Sequence, residues 1–419
     1  MPDAPADEDL SPEELERESA RLRAKRARAR RVLLAALAVI LVALGLCAIW
    51  PWLVPPFIVE GPMVQMAGTH QLTLVWYMSR PVSDGLSVRA GSSSQPLAAK
   101  SDSRRCRAVL TGLEPGRSCS YEILLEERAL AAGAFRTNKP AGEPFTFVVF
   151  GDSGRGTQEQ YRLGGQMTAA DPDFVLHTGD LVYGRGERSK YNERFFSPYR
   201  ELLHRVNFWP SLGNHDVGKP DCGQPYLDVF ELPENGPDGE PPERNYWFDY
   251  ASARIAVVDS NVAEAALRDR VAPWLHDVMA ASDAAWKFVV FHHPPYTGGR
   301  YEPDVRIQRT LVPVFESTGV DIVFNGHDHM YERTYALRGG KVVERGVVYI
   351  VTAAGGASLY DALPPEQRPA YIAALNDEIH SFTHVSVNGS ELVLEQIALG
   401  GDILDRWILT KASAPPASP

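Results

Sequence analysis

A chain of 419 residues with 44% hydrophobic and 23% charged side chains has an ordinary globular composition and room for two or three domains. The formal net charge of −11 excludes nucleic acid as the main partner, because a phosphate backbone selects basic surfaces. A small phosphate-ester substrate stays open, since bound cations can dominate a local field.

The first segment, 1–31, reads as a disordered and then basic cytoplasmic tail. Within it Ser11-Pro12-Glu13-Glu14 carries a helix-start signal, with Pro at the first helical position. The run VLLAALAVILVALGLCAIW, Val32 to Trp50, has neither charge nor proline. At ~1.5 Å per residue it matches a hydrocarbon core of about 30 Å, which predicts a transmembrane signal-anchor helix over 32–52. The cluster RLRAKRARARR before it is expected on the cytoplasmic side, with Trp50 and Trp52 at the far interface. The expected protein is therefore single-pass in the cell membrane, with its catalytic part extracytoplasmic. A cleaved signal peptide is the weaker alternative, since no A-x-A site follows. A lipid anchor at Cys47 is weaker again, because Leu46 stands where a small residue belongs.

Over 57–138 the pattern becomes short strands. QLTLVWYMS alternates polar and apolar residues, and LSVRAG, CRAVLTGL, CSYEILLEE and AGAFRTN follow between Gly, Pro and Ser clusters. This spacing predicts an all-β sandwich. LTGLEPGRSCSYEI followed by FRT resembles a fibronectin type III-like module, in which Tyr121 would pack near the corner. Cys106 and Cys119 flank the turn and are candidates to pair across adjacent strands; with Cys222, three thiols outside the apolar run leave one over.

KPAGEP, Lys139 to Pro144, reads as a linker. Over 145–410, buried apolar strands alternate with helical stretches, which predicts α/β architecture with chemistry on the loops at strand ends. HVSVNGSELVLEQIA is a hairpin turning at Asn388-Gly389. The tail 411–419 is proline-rich and expected to be disordered.

Five of those strands end in polar blocks: GDSG (Gly151 to Gly154), GDLVY (Gly179 to Tyr183), GNHD (Gly213 to Asp216), VVFHH (Val289 to His293) and GHDH (Gly326 to His329). Asp, Asn, His and Tyr are hard and borderline metal donors. Each block has a bland reading alone: Asp152 or Asp180 as a helix N-cap, Asn214 and His215 as turn residues, His292 and His293 as structural histidines. All five in order point instead to loops converging on two metal ions some ~3.5–4 Å apart.

Those blocks resemble the metallophosphoesterases, and Tyr183 with the trailing YERT resembles the purple acid phosphatases, which often carry a fibronectin-like domain before the catalytic one. NYWFDYASARIAVVDS is similar to the strand pair between that family's third and fourth blocks. The resemblance implies a four-layer α/β/β/α metallophosphoesterase sandwich. It implies that Asp152, Tyr183 and His329 hold a first metal, Fe(III), and that Asn214, His292 and His327 hold a second, divalent Fe, Zn or Mn. Asp180 would bridge them, and His215 would contact phosphate or protonate the leaving oxygen. One departure stands out. Plant-type members have two further histidines nine or ten residues after the fourth block, where this chain has Tyr301 and Glu302; His293, Tyr296 and Arg300 are the candidate replacements, and His293 is taken as a second catalytic residue. The expected activity is hydrolysis of a phosphomonoester by metal-activated hydroxide. The alternatives are a phosphodiesterase acting on nucleotides or phospholipid headgroups, and a non-catalytic cell-surface binding protein with a vestigial metal site.

Overall fold

The computed structural model describes residues 11–91, 97–98, 100–102 and 104–411, without the side chains of 46–53, 97–98 and 101–102. The tail expected over 411–419 lies, beyond Lys411, outside the described residues, as do residues 1–10 of the N-terminal tail. Two compact units divide the chain, Met1–Pro56 and Phe57–Pro419.

The first unit holds one helix, Pro12–Leu53. Ser11 starts it with a capping box: its amide and hydroxyl both donate to Glu14 Oε2, at 3.0 and 2.8 Å. Among the described residues no helix is long and apolar enough to cross a membrane, which overturns the expected transmembrane helix over 32–52. The first part of this helix is charged through Arg31. The single-pass topology, the membrane as a partner and the extracytoplasmic placement rested on that helix and are corrected with it.

In the second unit, Ile58–Gln65, Gln71–Met78, Arg105–Thr111 and Lys100–Asp102 form one four-stranded antiparallel sheet. Leu97–Ala98, Leu86–Ala90, Ser118–Leu125 and Arg128–Arg136 form another. Trp76, Tyr121, Ile123 and Phe135 are buried in one core with strands of both. Cys106 and Cys119 sit on strands of different sheets, not on neighbours within one.

The remaining chain builds two mixed sheets. In the first, Phe145–Phe150, Phe174–His177 and Asn207–Pro210 run parallel, and Ser381–Asn388, Glu391–Ala398 and Ile403–Thr410 add an antiparallel meander. In the second, Ala253–Val257, Trp286–Val290, Ile322–Asn325 and Val348–Thr352 run parallel, with Tyr246–Tyr250 and Tyr331–Thr334 antiparallel beside them and Ile372–Asn376 paired antiparallel to Tyr331–Thr334 at the edge. FTFVVF and WKFVV show no polar–apolar alternation because both faces of these strands are covered. One core lies between the sheets; a second lies between the other face of the second sheet and the helices Ala272–Ala280, Val305–Thr310 and Val312–Thr318. Helix Gln158–Ala169, capped by Thr157, buries Leu163 and Met167 against the first sheet.

Phe147 ties the two sheets together. Its ring stacks on Phe174 at 4.9 Å and meets Phe288 and Phe324 of the facing sheet at 5.5 and 6.2 Å. Phe147→Ala should lower unfolding free energy by about 3–5 kcal/mol, read from denaturant midpoints at unchanged slope.

Parallel direction is what positions the site. Five strands, three in one sheet and two in the other, all deliver their following loops to the same edge.

Candidate metal centre

Asp152, Asp180 and Asn214 follow strands of the first sheet; His292 and His327 follow strands of the second. The loops are tightly turned. Asp152, Asp180 and His327 have φ of 53°, 57° and 75°, left-handed conformations that cost non-glycine residues of order 1–3 kcal/mol. Two glycines let the loops close in. A Cβ on Gly326 would lie 2.5 Å from Asp152 Oδ2, and one on Gly213 would collide with the Asp180 carboxylate.

The seven residues expected as ligands fall into two groups joined by one carboxylate. In the first, Tyr183 Oη lies 3.1 Å from Asp152 Oδ1 and 2.7 Å from His329 Nε2, which is itself 3.4 Å from Asp152 Oδ1. In the second, Asn214 Oδ1 lies 3.0 Å from both His292 Nε2 and His327 Nδ1, and those nitrogens are 3.3 Å apart. Asp180 Oδ1 is 3.7 Å from His292 Nε2. One donor atom each from Asp152, Asp180 and His292 falls within a 4.8 Å span, and the same holds for His292, His293 and His327.

The imidazoles are held from behind. His292 Nδ1 donates to Thr178 O at 2.9 Å and His329 Nδ1 to Ser358 O at 2.7 Å, which leaves both Nε2 lone pairs facing inward. Asp152, Asp180 and His292 are buried, and His329 nearly so. Burial would raise Asp152, but His292, His329 and His327 together hold its carboxyl below the usual range. Burial pushes Asp180 up, reinforced by Asp152 and opposed by His292. Burial and the neighbouring His292 take His327 down to about 3, so its ring is neutral and its lone pair available. Burial, with Asp152 and Asp180 reinforcing it, keeps the Tyr183 hydroxyl protonated far above its ordinary range. Two carboxylates, a phenol, an amide oxygen and imidazoles with ring nitrogens turned inward are the donor set of a hard or borderline cation.

His215 sits apart from both groups. Its side chain is 36% exposed, Nδ1 donates to Gly184 O at 2.9 Å, and Nε2 lies 3.9 Å from Asp180 Oδ2. Its ring packs on Tyr183 at 4.5 Å. His293 is half-buried, with Nδ1 2.8 Å from Ser260 Oγ and its ring 4.7 Å from that of His327. Tyr296 points elsewhere, into a cluster with Tyr349 and Tyr371.

Four residues here were given no role by the sequence reading. Asp216 accepts from the amides of Leu181, Val182 and Gly213, so it knits the second and third blocks together; burial and Asp180 raise it to about 7. Asp328, between the two histidines of GHDH, accepts from Thr297 Oγ1 and the amides of Arg300 and Tyr301, fixing that loop over the site. Tyr301 stacks on His327 at 4.2 Å, and Tyr360 on His329 at 3.9 Å. Asp216 and Asp328 lay inside quoted blocks; Tyr360 had no local signal at all.

Residues 145–331 match the family described as calcineurin-like phosphoesterase. Purple acid phosphatase 17 of Arabidopsis thaliana is 26% identical over 305 residues, 64% of this chain and 84% of that one. An uncharacterized protein of Mycobacterium tuberculosis is 25% identical over 308 residues, 60% of this chain, which spans only 58% of that protein's length. Other Arabidopsis relatives are named probable inactive purple acid phosphatases. A purple acid phosphatase from yellow lupin seeds superposes with a TM-score of 0.72 at 18% identity, over 85% of this chain and 77% of that one, a likeness of fold. Over 145–331 the chain is thus similar to calcineurin-like phosphoesterases, it has purple acid phosphatase relatives, and a candidate metal cluster lies at its strand ends.

Proposed function

We propose that this protein is a phosphoric ester hydrolase of the purple acid phosphatase type, acting on phosphomonoesters at a dinuclear metal centre. The observation that carries the proposal is the grouping of Asp152, Tyr183 and His329 on one hand and of Asn214, His292 and His327 on the other, with a donor atom of Asp180 within 4.8 Å of one from Asp152 and one from His292. The two metals, Fe(III) and divalent Fe, Zn or Mn, would supply an acidified water and neutralise phosphoryl charge. The chain's part is positional. Carbonyls of Thr178 and Ser358 fix the ring tautomers, and Asp216 and Asp328 hold the loops. With Nδ1 committed to Gly184 O, His215 has Nε2, 3.9 Å from Asp180 Oδ2, left to give a proton to the leaving oxygen. His293, oriented by Ser260, is proposed to contact the phosphoryl group beside His327. We further propose that the paired sheets of 57–138 form a fibronectin type III-like module, supported by Tyr121 buried in their shared core.

Turnover of 4-nitrophenyl phosphate beside bis(4-nitrophenyl) phosphate tests the reading. The monoester should be favoured, and chelation should abolish turnover reversibly. Preference for the diester would make it a phosphodiesterase. No turnover with two metals bound would favour a binding role, the alternative that the relatives named inactive bring forward.

Tyr183 carries a second test. Buried and protonated, it donates to Asp152 and becomes a phenolate only beside a strongly acidic cation. Iron-loaded protein should be violet to pink through phenolate-to-Fe(III) charge transfer. Tyr183→Phe should bleach it with the circular dichroism spectrum unchanged; a colourless wild type holding stoichiometric Fe(III) refutes the assignment.

A further inference from the structure

Two arginines flank the cluster without belonging to it. Arg155 lies in the loop after Asp152, and its Cζ sits 4.3 Å over the Tyr183 ring. Arg300 lies in the loop that Asp328 pins down, and its Cζ sits 4.8 Å over the Tyr360 ring. Both tyrosines touch the same imidazole: Tyr183 Oη is 2.7 Å from His329 Nε2, and Tyr360 stacks on the His329 ring. The two guanidiniums are therefore each one aromatic ring removed from His329.

Both arginines are exposed. Among the described residues neither forms an ion pair with a carboxylate, although the chain has 53 acidic residues to 42 basic ones. Arg188, Arg254, Arg306 and Arg333 all pair with Glu or Asp. Stacking satisfies a guanidinium through its face and leaves the N–H edge free. That edge is a fork matched to a planar carboxylate or to two phosphate oxygens. A stacked, carboxylate-free guanidinium is a preorganised receptor for an anion, and here there are two beside one metal-ligand candidate. Each guanidinium lies over a tyrosine ring that itself touches His329, so both flank the cluster without contributing a donor to it.

We propose that Arg155 and Arg300 select substrates with a second anionic group beside the scissile phosphoryl, as in a phosphoanhydride or a carboxylate-bearing phosphoester. The proposal rests on the phosphoester hydrolase reading. Steady-state kinetics on the full chain, metals as purified, would compare inorganic pyrophosphate, phosphoserine and phenyl phosphate across wild type, Arg155→Gln, Arg300→Gln and the double variant. In the double variant KM for pyrophosphate should rise roughly 10-fold or more, the size of a lost charge-assisted pair, and KM for phenyl phosphate less than ~3-fold. A matching rise for phosphoserine means that any second anion is recognised; a rise for pyrophosphate alone narrows the class to phosphoanhydrides; either upholds the proposal. Equal rises for pyrophosphate and phenyl phosphate, or no rise, overturn it. Metal content and melting temperature of the variants exclude a structural cause. If no phosphoester is turned over, the hydrolase reading fails, and calorimetric titration with pyrophosphate decides the arginine proposal alone: weaker binding by the double variant upholds it, and equal binding overturns it.

Discussion

Asp180→Asn should yield folded protein that retains less than one metal per chain and has lost nearly all phosphoesterase activity. The carboxylate is buried, Oδ1 accepts from the His215 amide at 2.9 Å and faces His292 Nε2 at 3.7 Å, and Oδ2 faces His215. An amide fits the same space and its oxygen can still accept from His215, so the loop survives. What it lacks is the charge that two cations would share. Outer-sphere changes at metal sites already cost ~10–100-fold in affinity or activity, and losing a shared ligand should exceed that. Elemental analysis after gel filtration, beside a thermal melt, reads both parts of the expectation. Two retained metals with near-normal turnover would remove Asp180 from the bridging position.

His215→Ala should keep both metals and lose activity according to the leaving group. Its Nδ1 is committed to Gly184 O, so only Nε2 is left to reach substrate. A residue that protonates the leaving oxygen matters most when that oxygen is a poor leaving group. The loss in kcat should approach ~10²–10⁴-fold on alkyl phosphates and be much smaller on 4-nitrophenyl phosphate. Equal losses on both would make His215 a phosphate-positioning residue.

Much of the candidate site was legible because its signals are local. Each block follows a short apolar strand, and in GDSG, GDLVY, GNHD and GHDH a glycine marks the turn ahead of the donors. A buried parallel sheet imposes that pattern: its strands are apolar on both faces and polar groups wait for the loops. The same locality misled at the N-terminus, where an uncharged run predicted a membrane span that no described helix satisfies. It misled at Cys106 and Cys119 as well, whose nearness along the chain says nothing of which sheet each strand joins.

By itself, then, the sequence determined the α/β class of 145–410 and the order of the strand-end blocks that carry the seven candidate donors, because strand, turn and donor type are written within a few residues of one another. Tertiary structure decided the rest. Tyr360 stacks on His329, Arg155 on Tyr183 and Arg300 on Tyr360, and Asp216 and Asp328 close loops upon loops. These contacts join residues from different strand ends, and they exist only once two sheets have packed face to face and brought their loops to one edge. No periodicity or spacing encodes them, since the distance between such loops is set by the packing of Phe147, Phe174, Phe288 and Phe324 in the core beneath.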